Sequence, residues 1–453
     1  MSGSAPTEQE LLVHRISFAN ILILLVLLVG KCAHATSIEI TPADNYRSAM
    51  QNLVAGDTLI LHGGSYPLSS FFELVLNGTA QAPITIRAAV GESPVISYVN
   101  ANQNIVNIRN SSHLLIDGIE FTGGSRGLRL AASSDITIRN CHVHHTAANA
   151  ISANDSGSDY ARLTFFHNEI DHAGETGEGF YLGCHDATCR VHDSLIANNY
   201  IHHLTGPTVS QGDGIEIKAG SYANTVRDNV IHDTAYPGIT LYHVNGNGAP
   251  NLIEGNVIWN SGDNGIQVTA DAIVRNNIVL SASAHGIESH PFQGVGVGNL
   301  VIVNNTVLKA SGDAIHINGA SGSVLIANNA LYAQSGRAVY ADGTTSFVTL
   351  LANAGTGTLV GVSAGFDGSG NIAVDFASAG YAGAPPMDLV PPGGRLAGNA
   401  ALAHLPVLDF NGQLRQPQAD IGAYRSNPLG NGGWPLQGGF KDTDLIFADG
   451  FEP

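Results

Sequence analysis

Hydrophobic residues along this chain alternate in short bursts and show almost no helical periodicity. A small residue followed by an apolar one recurs at Gly127-Leu128, Ala150-Ile151, Gly179-Phe180, Gly214-Ile215, Gly238-Ile239, Gly265-Ile266, Gly286-Ile287, Ala314-Ile315 and Ala338-Val339. From Ile215 onward the apolar members are separated by 24, 27, 21, 28 and 24 residues, and upstream of it by 23, 29 and 35. Each period carries a second short strand that ends in asparagine, at Asn140, Asn168, Asn199, Asn229, Asn256, Asn277, Asn305 and Asn329. Short β-branched strands with Gly and Asn at the turns, repeating every ~25 residues, predict an all-β fold, a right-handed parallel β-helix. Each asparagine is expected to take the left-handed turn conformation and to bond its counterpart in the next coil, about 4.8 Å away.

The two ends break the repeat. Residues 43–54, ADNYRSAMQNLV, carry the chain's one amphipathic helical pattern and suit an N-terminal capping helix. Arg15, the apolar run Ile21–Val29 and the small-x-small step Ala33-His34-Ala35 have the layout of a signal peptide. The expected organisation is a signal peptide over 1–35, the β-helix over 36–365, a closing segment over 366–430 and a tail over 431–453. Residues 408–425, LDFNGQLRQPQADIGAYR, resemble the closing segment of secreted β-helix proteins. The tail DTDLIFADGFEP resembles a C-terminal tail on exported proteins of some Gram-negative bacteria. The expectation is a secreted or periplasmic monomer with no membrane anchor after cleavage.

Charge narrows the partners. The formal net charge is −18, and it stays −18 without residues 1–35, which hold two acids and two bases. That field repels nucleic acid and anionic membranes, so an acidic polymer would have to be met by local cations or a bound metal. Cys184 and Cys189, in GCHDATC, are expected to pair as a disulfide; a metal clip with His185 and Asp186 is the alternative. Cys141 sits in an apolar strand pattern and is expected to be a buried thiol.

Strand alternation gives the outward column that follows each small-apolar pair. Down the stack it runs Ser152/Asn154, Tyr181/Gly183, Glu216/Lys218, Thr240/Tyr242, Gln267/Thr269, Glu288/His290 and His316/Asn318, with Glu178, Asp213, His285 and Asp313 at the rim. A second polar column, His144, Asp171, His202, His232 and Trp259, is expected to be a solvated ladder. A groove across stacked strands suits a polymer, because successive coils meet successive sugars. Lys218 is one of only four lysines and falls in the middle of that groove. Its structural reading is a surface ion pair with Glu216 or Glu288. Its functional reading is a base for the proton α to a uronate carboxyl, with its pKa lowered by burial or by a nearby cation. Tyr242 or His243 would protonate the leaving oxygen. Asp213 and Glu216, joined by Glu178 or Asp233, offer oxygens of the kind Ca2+ takes. Tyr181, Glu216, Gln267, Glu288 and His290 would line the substrate.

The entry coils, GDTLILHGGSYPL (56–68) and NGTAQAPITIRAAVGESPVIS (77–97), resemble those of β-helix polysaccharide lyases of families 6 and 9. Asp213-Gly-x-x-x-Lys218 resembles the family 9 strand whose Asp ligates calcium. Lys218 followed by Asn224, Arg227 and Asn229 resembles the family 6 coil whose lysine is the base. The resemblance implies β-elimination on an acidic polysaccharide. Where family 9 completes its calcium site, this chain reads Tyr236-Pro-Gly-Ile-Thr240; where family 6 has an Arg-His-Gly coil, it reads Leu241-Tyr-His243. The alternatives are a β-helix glycoside hydrolase, with Glu216 and Glu288 as its carboxylates, and a non-catalytic glycan- or surface-binding β-helix.

Overall fold

The computed structural model describes residues 35–441 apart from Ala382. The signal-peptide expectation therefore falls outside the described residues, as does the tail from residue 442. Within them the chain is a right-handed parallel β-solenoid. Sheet one has 13 parallel strands, from Ser37–Ile40 to Val348–Leu351. Sheet two runs from Gly64–Leu68 through Tyr200–Leu204 and Val230–Thr234 to Phe366–Asp367. Sheet three holds the strands that follow the small-apolar pairs, including Phe180–Leu182, Ile215–Ile217, Ile239–Leu241, Ile266–Val268 and Ile287–Ser289. The long strand Ala330–Asp342 runs through sheets two and three.

The core is the stacked inward side chains: Ile215, Ile239, Ile266, Ile287 and Ile315 are all fully buried. The residue before each must be small, because the chain turns close to the next coil. A Cβ on Gly214 would lie 2.5 Å from Gly238 O and 2.6 Å from Ile231 Cγ2. The expected helix is present as Tyr46–Gln51, capped by the Asn45 side chain, which accepts from Ser48 N. Its Tyr46 and Met50 are buried in the first coils.

The asparagine ladder is real, but its two expected duties fall on different residues. Asn168, Asn199, Asn229, Asn256, Asn277, Asn305, Asn329 and Asn353 form one buried line, each Nδ2 donating to the next Oδ1 at 2.9–3.0 Å. The left-handed conformation belongs to the residue before each one, as at Asn198 (φ 54°), Asp228 (57°), Asn276 (54°) and Asn304 (54°). Asn140 is one of these turn residues (φ 52°), and Cys141 takes the ladder position there. Cys141 is a buried free thiol, its pKa pushed up to about 12 by burial.

Residues 366–441 run back along the outside of sheet two. Phe376, Leu389, Phe410, Tyr424, Trp434 and Leu436 pack on Trp259, Leu280, Leu308 and Tyr332. Arg415, fully buried, donates to Asn276 Oδ1 (2.8 Å) and to the carbonyls of Gly422 and Ala423. Lys441 Nζ reaches Asp228 Oδ1 at 2.5 Å and Gly255 O at 2.9 Å. The column read as a solvated ladder is largely buried: Asp171, His202, His232 and Trp259 are buried, the His232 ring stacks on Trp259 at 4.3 Å, and the C-terminal segment packs on Trp259. Among its members His144 keeps partial exposure.

Candidate active site

Register brings the outward column together as the alternation predicts. Ser152, Tyr181, Glu216, Thr240, Gln267, Glu288 and His316 are paired neighbours in successive strands of sheet three. The chemistry concentrates at Ile215–Ile217 and the turns flanking it. Glu178, Asp213 and Glu216 are each at most 3 % exposed and bring one carboxylate oxygen apiece within 4.8 Å of the others. Lys218 forms an ion pair with Glu216 Oε1, and Tyr242 OH donates to the same oxygen at 3.3 Å. The Lys218 ammonium lies 4.5 Å from the Tyr181 ring centre and 5.3 Å from that of Tyr242, a cation–π sandwich. Thr240 Oγ1 donates to Asp213, and Asn149 Nδ2 donates to Glu178 Oε2 at 3.3 Å.

Electrostatics at this cluster are unbalanced. Glu178 Oε1 and Glu216 Oε2 are buried with no hydrogen-bond partner among the described residues. Burial, with the neighbouring Glu216 charge, holds the Asp213 pKa well above the usual carboxylate range. Burial also raises that of Glu216, against the pull of Lys218. Three buried carboxylates facing one ammonium, with two oxygens unpartnered, fit a hard cation such as a divalent metal.

Two expectations need correcting here. The Lys218 pKa is raised, not lowered: burial disfavours the ammonium, but Glu216, Tyr181 and Asp213 together outweigh it. Among the described residues the lysine with a lowered pKa is Lys309, brought down to about 8 by burial beside the Ala282 carbonyl. Asp233 does not join the carboxylates; it bonds His232 on sheet two at 2.6 Å. His243 is buried with both ring nitrogens unpartnered among the described residues, and burial lowers its pKa. Of the two acid candidates, only Tyr242 is bonded into the cluster. Burial, then the Glu216 charge, raises its pKa, so it keeps its proton.

Further down the groove, Glu288 accepts from Asn264 and lies 3.5 Å from both His290 and His316. These histidines, against the opposing effect of burial, hold its pKa below the usual range. Gln267 accepts from Asn264 Nδ2 at 3.1 Å.

Sequence reasoning missed two parts of the site. The column continues one coil above Ser152 to Arg129 and then Asn107. Arg126 reaches the carboxylates through Asn149, to whose Oδ1 its Nε donates at 2.7 Å, whereas Arg129 and Arg109 pair with Asp155, and Arg109 also with Glu73, further up the same face. The Gly127-Leu128 pair marked that coil, and extending the alternation past it would have found Arg129. The second part is a roof. Phe292, from the loop after Ile287–Ser289, stacks on Tyr242 at 4.0 Å, and His185 meets Phe292 edge-on at 5.8 Å. His185 lies in the small loop closed by the Cys184–Cys189 disulfide. No repeat pattern encodes a contact between loops 108 residues apart, which the Gln293 Nε2 bond to His185 O reinforces.

The fold is that of a right-handed parallel β-helix protein. The family described as "Pel9A-like, right handed beta helix region" matches residues 29–201, and that described as "Right handed beta helix region" matches 190–331. Pectate lyase PEL9 of Emericella nidulans is 24 % identical over 300 residues, 58 % of this chain and 68 % of the relative. The crystal structure of pectate lyase Pel9A superposes with a TM-score of 0.52 at 14 % identity, over 87 % of this chain and 97 % of the other. A complex of XylC with xylose also gives 0.52, at 11 % identity over 87 % and 99 %. The chain thus resembles lyase β-helices at a distance, with a shared fold and no close match.

Proposed function

We propose that this protein is a polysaccharide lyase that cleaves a uronate-containing glycan by β-elimination. The observation that carries the reading is the buried set Glu178, Asp213 and Glu216, with its unpartnered oxygens, beside Lys218 and Tyr242. Those carboxylates would hold a calcium ion, which would supply positive charge next to the uronate carboxylate as negative charge builds there. The neutral fraction of Lys218, kept small by the ion pair with Glu216, takes the proton from the carbon α to that carboxylate. The electron pair left behind forms the carbon–carbon double bond as the β carbon–oxygen bond breaks, and Tyr242 gives its proton to the departing oxygen. Arg109, Arg126 and Arg129 would meet acidic groups of the neighbouring sugars. Glu216 and Glu288 stand three strands apart, about 14 Å, too far for a hydrolase pair, which works at about 5–9.5 Å.

The test is to incubate the purified protein with pectate, alginate and glycosaminoglycans and follow the ultraviolet absorbance of the unsaturated product. Lys218→Ala should lower the rate at least a hundredfold, the low end of a general base's contribution. New reducing ends without that absorbance would show a hydrolase, and retention on a glycan column without cleavage would show a binding protein. The layout of residues 1–35 supports export; N-terminal sequencing of protein from culture medium, starting near Thr36, checks it.

A further inference from the structure

Away from the groove, one corner of sheet two gathers histidine in four successive coils: His144-His145, Asp171-His172, His202-His203 and His232-Asp233. His144, Asp171, His202 and His232 are register partners. His145, His172, His203 and Asp233 hold the turn, with φ of 53°, 51°, 55° and 52°. The His145 ring stacks on His172 at 4.7 Å, and His172 on His203 at 5.5 Å. The lyase reading uses none of these side chains.

At the top of this corner His144 Nδ1 and His145 Nδ1 face each other at 2.7 Å, and an Asp171 carboxylate oxygen lies within 4.8 Å of both rings' ligand atoms. His144 Nε2 is 3.0 Å from Glu120 Oε1. An ionised carboxylate only accepts, so this contact puts the ring hydrogen on Nε2 and leaves Nδ1 as an acceptor, which His145 Nδ1 and, at 3.4 Å, Thr122 Oγ1 contact. Asp171, only 5 % exposed, is held from behind by His142 Nε2 at 2.6 Å and from the side by His172. His145 is exposed, so the group has a rigid floor and an open entry. The arrangement of carboxylate, imidazole and facing imidazole recurs two coils on. There His202 Nε2 lies 3.2 Å from Glu169 Oε1 and Nδ1 faces His203.

We propose that His144, His145 and Asp171 form a binding site for a divalent transition-metal ion of the zinc class, with Glu120 and His142 orienting the ligands. Two imidazole nitrogens and one carboxylate suit zinc or nickel, whereas calcium takes oxygen ligands throughout. The corner and the groove would therefore select different ions.

The test uses the full chain, stripped with a chelator and dialysed, then titrated calorimetrically with zinc chloride and, separately, calcium chloride. The expected result is zinc binding at micromolar concentration that weakens about tenfold or more in His145→Asn and His144→Gln. Asparagine tolerates the left-handed turn at 145, so that variant should fold, which its circular dichroism and melting temperature would verify. Calcium binding and any action on glycans should be unchanged in both variants. Zinc-edge X-ray absorption should show a mixed nitrogen and oxygen shell. The proposal is overturned if no zinc binds at micromolar concentration, or if both variants bind it as the parent does. It is equally overturned if only His203→Asn weakens binding, which would place the ion at the lower pair.

Discussion

Lys218 is held as an ammonium by Glu216, while burial and the Glu216 charge hold Asp213 toward its protonated form, and burial and the Glu178 charge do the same to Glu216 against the pull of Lys218. The stability of the protein without added cation should carry this signature. A carboxyl whose folded pKa is raised binds its proton more tightly in the folded than in the unfolded state. Its favourable contribution is complete below the ordinary carboxylate pKa of ~4 and is lost as pH rises through the raised value. With chelator present, the melting temperature of the parent relative to Asp213→Asn should therefore fall over a window that begins at the ordinary carboxylate pKa of ~4 and extends above it. Saturating calcium chloride should abolish that fall, because it neutralises the same carboxylates. A difference that is flat with pH would refute the burial argument. Lys218, raised as well, affects stability only at alkaline pH and does not interfere in this window.

The strands show how far alternation can be trusted. Outward positions from Ser152 to His316 were legible because a two-residue period and a stacked register leave no freedom. What alternation could not assign was duty within a turn. Asn229 accepts from Asn199 N and Nδ2 at 2.9 Å, and donates to Ile196 O and to Asn256 Oδ1. Asn140 is instead exposed and bonds Asp117. Asn229→Ala strands several buried polar groups and should cost about 3 kcal/mol, whereas Asn140→Gly should cost well under about 1 kcal/mol. Urea unfolding of the two variants measures both. Equal losses would mean that the ladder contributes no more than the turn.

On the scale of the molecule, the C-terminal segment along sheet two decides which faces of the solenoid are available. Sheet three keeps its groove, whereas residues 376–441 cover sheet two from Tyr332 back toward His167 and Tyr200, on whose rings Phe440 packs. A chain ending at residue 365 would uncover Trp259, Leu280, Leu308 and Tyr332 as one apolar band, large enough to bind a hydrophobic dye and to associate. A monodisperse truncated protein that binds no dye would contradict that packing. By itself the sequence determined the solenoid, its capping helix, the outward column and the Glu178, Asp213, Glu216 and Lys218 set, because these follow from local periodicity and a repeating register. Only the tertiary structure decided the buried ion pair of Lys218 with Glu216, the bonding of Tyr242 rather than His243 into the cluster, the roof of Phe292 and His185, and the burial of the second polar column. Each of those depends on groups far apart in the chain, where burial and contact are set by how coils and segments pack and no local pattern records it.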